Sequence, residues 1–414
     1  MFLKRLVLNN IRSIESLDLS FGTGNKKLRQ WTLILGENGS GKSTLLKALA
    51  LALVGAEGLP DLLENPSDWL RISSAGGFIK IEILEPSGAT LEVELAFAPQ
   101  DTFQTFLSRN AAALDRLGAA QKRASHRFLT AGYGVCRRFR NAKASAERFS
   151  SPRAQSVVTL FDPDATCNPL NSWAMELHDR RGAAGIEFLK TAFQDLFPGV
   201  ELSELNLQAR ELLFNTLDGV LPLRSLGEGY QNAVALWGDL LFHITEILPN
   251  LKNPLSAHGI LLIDEIESHL HPLWQRQVRD VLMQRLPNFQ IVATTYSPFT
   301  AQQCAEGELF YLRRAKEKAP ASLVAFEGDP RRLKIQQLIA SPIFGLDTVA
   351  SKYVEELRRS YQDLSASEML GMVDDAQLQQ VAKELSEIAD DSQVSERERK
   401  QQELLAEIKR ALES

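Results

Sequence analysis

The chain has 414 residues, of which 44% are hydrophobic and 24% charged, with a formal net charge of −6. At about 100–200 residues per domain, this length predicts two or three units or one large unit with insertions, and the composition excludes global disorder. No apolar run approaches the roughly 20 residues that span a bilayer, and Cys136, Cys167 and Cys304 form no CxxC pair, so the expectation is a globular cytoplasmic protein with no membrane partner, disulfide framework or cysteine zinc site.

In chain order, residues 2–9 and 15–21 alternate like strands around Asn10-Ile11-Arg12-Ser13, and the opening residues lack a signal-peptide apolar stretch. Residues 31–35 form a short apolar run of the buried-strand kind, followed by a glycine loop and a helical pattern over 43–54. Residues 78–84 and 90–97 flank Pro86-Ser87-Gly88 and predict a hairpin. Residues 101–200 are Ala- and Arg-rich and mostly helical in pattern, interrupted by Gly132-Tyr133-Gly134, which ends the strand-like 128–133, and by Asp162-Pro163. Apolar runs at 259–263 and 290–293 predict buried parallel strands with a helix over 272–286 between them. Residues 377–388 and 395–412 carry apolar residues at helical spacing in a Glu/Lys/Gln-rich setting.

Charge is divided unevenly along this order. From Arg109 to Arg153 there are eleven basic residues against Asp115 and Glu147, a net of +9, whereas 353–414 hold 15 acidic and 8 basic residues, a net of −7. The basic block reads either as a phosphate-backbone footprint over 109–153 or as a solvated or protein-facing helix surface, and both stay open.

The chemistry sits in Gly36-Glu37-Asn38-Gly39-Ser40-Gly41-Lys42-Ser43, a full match to G-x-x-x-x-G-K-[ST] between a strand and a helix. Glycines here let backbone N–H groups wrap a β-phosphate, Lys42 reaches the β/γ oxygens, Ser43 ligates Mg²⁺, and the helix dipole favours the anion. Asn38, Gly39, Ser40, Gly41 and Thr44 complete the nucleotide-binding candidates. The partner element is an apolar strand ending in Asp264-Glu265: Asp264 is placed to hold Mg²⁺, Glu265 to orient or deprotonate water.

The run Asp264-Glu265-Ile266-Glu267-Ser268-His269-Leu270-His271-Pro272 resembles the "DEPE-x-HLHP" segment of ABC-type ATPases of the OLD/RecF/SMC-like group. The likeness is strongest to the short-armed members of bacterial antiphage defence systems, such as Septu- or retron-associated ATPases. Leu223-Arg224-Ser225-Leu226-Gly227-Glu228-Gly229-Tyr230 is similar to the group's signature, and Thr294-Thr295-Tyr296-Ser297-Pro298 to its switch loop. The resemblance implies an α/β P-loop NTPase fold with a central, mostly parallel sheet, an antiparallel N-terminal β lobe, a helical insertion and C-terminal helices. It implies ATP and Mg²⁺ as cofactors, Arg12 near the adenine or α-phosphate, and Ser225, Gly227, Glu228 and Gly229 contacting a γ-phosphate across a head-to-tail homodimer. It also implies a separate effector, a nuclease or toxin, as partner. Gly227 in place of the signature serine and Tyr296 in place of the switch histidine predict slow hydrolysis, and no glutamine stands after 128–133 where the group places one on Mg²⁺.

The organisation expected is therefore lobe I over 1–100, a basic helical insertion over 101–204, lobe II over 205–340 and acidic helices over 341–414. The alternatives are a RecF-like DNA-binding ATPase of repair and a non-hydrolysing nucleotide sensor. Glu327-Gly328-Asp329 lacks the downstream Asp-x-Asp strand of a Toprim nuclease, and an insertion of about 100 residues is too short for a chromosome-scale arm.

Overall fold

The computed structural model describes residues 1–23, 27–123, 128–139, 151–249, 251, 253–314, 320–346, 350–369 and 375–387. The chain divides into a unit of Met1–Gly345 and a unit of Leu346–Ser414. In the first, β1 (Phe2–Ile11), β2 (Ile14–Ser20), β3 (Trp31–Gly36), β4 (Gly77–Leu84) and β5 (Thr90–Phe97) precede β6 (Phe128–Tyr133). Strands β7 (Glu201–Asn206), β8 (Glu211–Thr216) and β9 (Gly219–Pro222) follow, then β10 (His258–Ile263), β11 (Phe289–Thr295), β12 (Leu309–Arg314) and β13 (Ala321–Ala325).

The alternating N-terminal segments pair as an antiparallel sheet of order β2-β1-β4-β5, and the apolar runs form a second sheet of order β13-β12-β3-β11-β10-β6. All neighbours in the second sheet are parallel except β12 and β13. Period-two geometry divides each central strand between two cores. Ile34, Ile260 and Leu262 face one, while Leu33, Leu35, Leu261 and Ile263 face the other. The first core holds the P-loop helix Lys42–Val54, whose Leu45, Leu46 and Leu49 are fully buried among side chains of both sheets. A helix apolar around most of its circumference is stable only when covered on both sides, which is why 43–54 lacks a polar face. The second core packs Leu170–Arg181, Ala183–Phe193 and the signature helix Glu228–Ile247. Gln290, buried in β11, joins the sheets by accepting from Leu3 N (2.6 Å) and donating to Leu3 O (3.1 Å).

Three features depart from the sequence reading. The stretch 101–204 is not purely helical: β6 pairs along its whole length with β10 and forms an edge of the main sheet. Residues 201–222 form a separate antiparallel sheet, β7-β8-β9. The helix expected over 272–286 is two helices, Pro272–Gln275 and Val278–Arg285. Gln275 at the break donates to Leu270 O (2.7 Å) and accepts from Ser297 Oγ (2.6 Å), which draws the first turn onto the switch loop. In the second unit, Lys352–Met369 and Asp375–Glu387 are helical, and the pattern at 395–412 lies outside the described residues. Among the described residues, no helix is long and apolar enough to cross a membrane.

A buried polar cluster ties the signature helix to β6. Asp239 accepts from Tyr133 Oη (2.9 Å), Asn168 N (2.7 Å) and Asn168 Nδ2 (2.8 Å), with His243 Nε2 at 3.3 Å. Burial alone would raise the Asp239 carboxyl, but the charge and hydrogen bond of His243, with donors from Asn168 and Tyr133, hold it below its ordinary value. Asp239→Ala leaves these donors unpaired at about 1–3 kcal/mol each. Urea denaturation should show a loss of roughly 2–5 kcal/mol on that basis; a change under about 0.5 kcal/mol would mean the cluster is dispensable.

Candidate nucleotide site

Strand β3 ends at Gly36 and the helix begins at Lys42, leaving a tight loop between. Gly41 has φ +109°, and a Cβ there would stand 3.0 Å from both Ser13 Oγ and Ile14 Cγ1, so glycine is required by conformation and by space. The β1–β2 turn thus lies against the loop, and Arg12 belongs to that turn. Its guanidinium stacks on Trp69, 4.1 Å from the ring centroid, and burial holds its pKa down.

Lys42 is 4% exposed, and its Nζ donates to Gly36 O (2.7 Å) and Glu37 O (3.1 Å). The Tyr296 ring covers the same ammonium, with its centroid 3.6 Å away. Burial pulls the Lys42 pKa down to about 8, resisted by the charges of Asp264, Glu265, Glu267 and Glu37. Tyr296 is shifted upward by burial and by the charges of Glu265, Asp264 and Glu267, so the phenol stays neutral. The structure therefore brings together Lys42, Asp264, Glu265 and Tyr296. Ser43 and Thr44 are half-buried in the first helical turn, and Asn38 and Gly39 are exposed on the loop. Gly39 O accepts from Arg314 Nη2 (2.8 Å), which ties the loop to β12. Ser40 Oγ is buried without a partner in the fold. That hydroxyl, the side-chain-free loop at Gly39 and Gly41, and an ammonium facing carboxylates form a donor set that fits a polyphosphate with a divalent cation.

The end of β10 is held from three directions. Thr294 Oγ1 donates to Asp264 Oδ1 (2.5 Å) and accepts from Glu265 N (2.8 Å). Ser268 Oγ donates to Glu265 Oε2 (3.1 Å), and Asp264 N donates to Tyr133 O (2.8 Å). Arg137 donates to the backbone oxygens of both Asp264 and Glu265. One residue further, Glu267 accepts from Thr295 Oγ1 (2.7 Å) and Tyr296 N (2.5 Å), fixing the switch loop. Burial pushes the Glu267 carboxyl up despite these bonds. Sequence reasoning missed Thr294, Glu267 and Ser268 as supports, although all three lie inside the motifs that it singled out. Arg137 gave no such signal, because only the pairing of β6 with β10 reveals where it lands.

The signature leads into a helix of the second core. Ser225 ends a short turn, and Gly227 precedes the helix that starts at Glu228. Gly229 approaches the segment after Glu265 so closely that a Cβ would stand 2.4 Å from His269 O. Gly227, Glu228 and Gly229 line a cleft with His269, His271 and Trp274.

Among the described residues, the basic block is only partly engaged within the fold. Arg109 pairs with Asp101 and Arg123 with Glu85, while Arg137 is buried and Arg153 is desolvated near Glu57. Arg116, Lys122 and Arg138 are exposed, whereas Arg127, Arg140, Lys143 and Arg148 lie outside the described residues. Tyr133 is fully buried on Asp239, and Arg137 points at backbone carbonyls.

Residues 32–301 match the protein family described as AAA domain, putative AbiEii toxin, Type IV TA system. The chain belongs to this AAA-domain family. Membership implies nucleotide binding. The Septu protein PtuA of Bacillus mycoides (strain KBAB4) is 26% identical over 366 residues, covering 88% of this chain and 48% of that protein. The Retron Ec83 probable ATPase of Escherichia coli is 31% identical over 133 residues, covering 32% of this chain and 24% of that one. The chain thus spans about half the length, or less, of these curated relatives. A solved SMC head bound to the C-winged helix domain of ScpA has 15% identity and a TM-score of 0.48, covering 79% of this chain and 98% of that chain.

A bound polyphosphate would raise the pKa of Lys42 above its ligand-free value of about 8. Lys42 should therefore take up a proton on ligand binding near pH 8, and its contribution to affinity should be complete well below pH 8 and fall as pH rises through that region. Calorimetry of Mg-ATP binding in two buffers of different ionisation enthalpy should show proton uptake at pH 8 that disappears in Lys42→Met; equal enthalpies in wild type would contradict the assignment.

Proposed function

We propose that this chain binds Mg-ATP in a head-to-tail dimer, hydrolyses it slowly and thereby controls a separate nuclease or toxin effector in antiphage defence. The observation that carries the reading is that one switch loop joins the two halves of the site: Tyr296 covers the Lys42 ammonium, Thr294 bonds both Asp264 and Glu265, and Tyr296 N bonds Glu267. The Septu and retron relatives support the defence context, and the Retron Ec83 protein is named a probable ATPase.

The phosphates would lie on the loop amides and Lys42, with Ser43 and Asp264 as the side chains for Mg²⁺. The ion supplies neutralisation of phosphate charge and a fixed orientation. Glu265 orients the attacking water and accepts its proton as the water oxygen bonds to the γ-phosphorus and ADP leaves. Tyr296 offers a neutral hydroxyl where a histidine could carry charge, and Gly227 offers no side chain, so both favour a slow reaction. Among the described residues, the cleft at Gly227–Gly229 is lined by Pro198, Tyr230 and residues between 269 and 277 and by none of the P-loop, which favours completion of the γ-phosphate site by a second copy. The DNA-clamp alternative loses Arg137, which is buried on backbone carbonyls, while Arg109 and Arg123 are already ion-paired at the surface.

Saturating Mg-ATP at a hundred times its Kd should stabilise the wild type by about 2.7 kcal/mol, and Lys42→Ala should abolish that shift. In light scattering, Glu265→Gln should run as an ATP-dependent dimer. A strictly monomeric Glu265→Gln protein that still binds ATP would remove the sandwich from the proposal.

A further inference from the structure

Arg137 is 4% exposed, and instead of a carboxylate its guanidinium meets three backbone carbonyls. Nε donates to Gly134 O (3.0 Å), while Nη2 donates to Asp264 O and to Glu265 O, the latter at 2.8 Å. A buried cation costs several kcal/mol to desolvate, so its retention among carbonyls needs a reason beyond filling space.

The geometry of Glu265 supplies that reason. Its φ is +44°, in the left-handed region that a glutamate adopts only when its surroundings enforce it. Three anchors do so: Thr294 Oγ1 takes the Glu265 N–H, Ser268 Oγ takes the carboxylate, and Arg137 takes the Glu265 carbonyl. Because the same guanidinium also holds Asp264 O and Gly134 O, it fixes the bend relative to β6 as well as to β10. We propose that Arg137 is a positioning residue for the hydrolytic step, holding the strained bend that presents the Glu265 carboxylate to water. This inference rests on the reading of Glu265 as the residue that activates water.

Lysine at this position carries the charge but cannot span the three carbonyls with one ammonium. Arg137→Lys should therefore lower kcat by about 10–100-fold, the usual loss when a residue orienting a catalytic group is removed, with KM for ATP and the Mg-ATP thermal shift nearly unchanged. Arg137→Ala should behave alike and regain part of its turnover when low concentrations of guanidinium ion are added. If Arg137→Ala does not fold, the Arg137→Lys split between kcat and KM decides. Unchanged kcat in folded Arg137→Lys, beside an active wild type, would overturn this inference alone. A parallel fall in kcat, ATP affinity and melting temperature would assign Arg137 a merely structural role and likewise overturn it. A wild type that binds Mg-ATP without turning it over would overturn the hydrolysis reading and this inference with it.

Discussion

Strand β10 carries two adjacent carboxylates at its end, and the backbone must turn sharply between them and the following segment. That turn puts Glu265 at φ +44°, a conformation costing on the order of 1–3 kcal/mol unless neighbours enforce it. Here every polar group of the residue is tied down, the N–H and carboxylate by hydroxyls and the carbonyl by a guanidinium. The neighbours are themselves fixed. Thr294 is held in β11, and Arg137 follows β6, so the strands flanking β10 on both sides brace its end. Function at this position depends on sheet order before it depends on any single side chain.

The same order explains the two cores. A parallel sheet must be covered on both faces. The P-loop helix between the sheets covers one face and sets Lys42 at the end of β3, while the signature helix and its neighbours cover the other. Asp239 of the signature helix binds Tyr133, and the Tyr133 carbonyl receives the Asp264 amide. A single run of hydrogen bonds therefore leads from the helix behind the signature to the metal-binding candidate.

Much of this was legible in the sequence because it depends on local pattern. Alternation marked β1 and β2, the apolar runs marked β3, β10 and β11, and residues 36–43 declared the loop through residue type and spacing. The edge strand β6 was visible as a strand but not as a member of the main sheet, since parallel pairing with β10 leaves no local trace. Long-range pairing also hid Arg137, which sequence counting assigned to a positive surface, although it is buried on three backbone carbonyls. The break at Gln275 escaped for a similar reason: the side chain there accepts a hydrogen bond from Ser297, 22 residues away. Tyr296 was identified by position, yet its contact with Lys42 needed three dimensions to appear.

The central claim is that Lys42, Asp264 and Glu265 form one hydrolytic site, and steady-state ATP turnover by purified wild type beside Glu265→Gln tests it most directly. The account predicts slow turnover in the wild type that vanishes in Glu265→Gln while Mg-ATP binding persists. Equal turnover in the two proteins would show that Glu265 does not activate the water and would contradict the account.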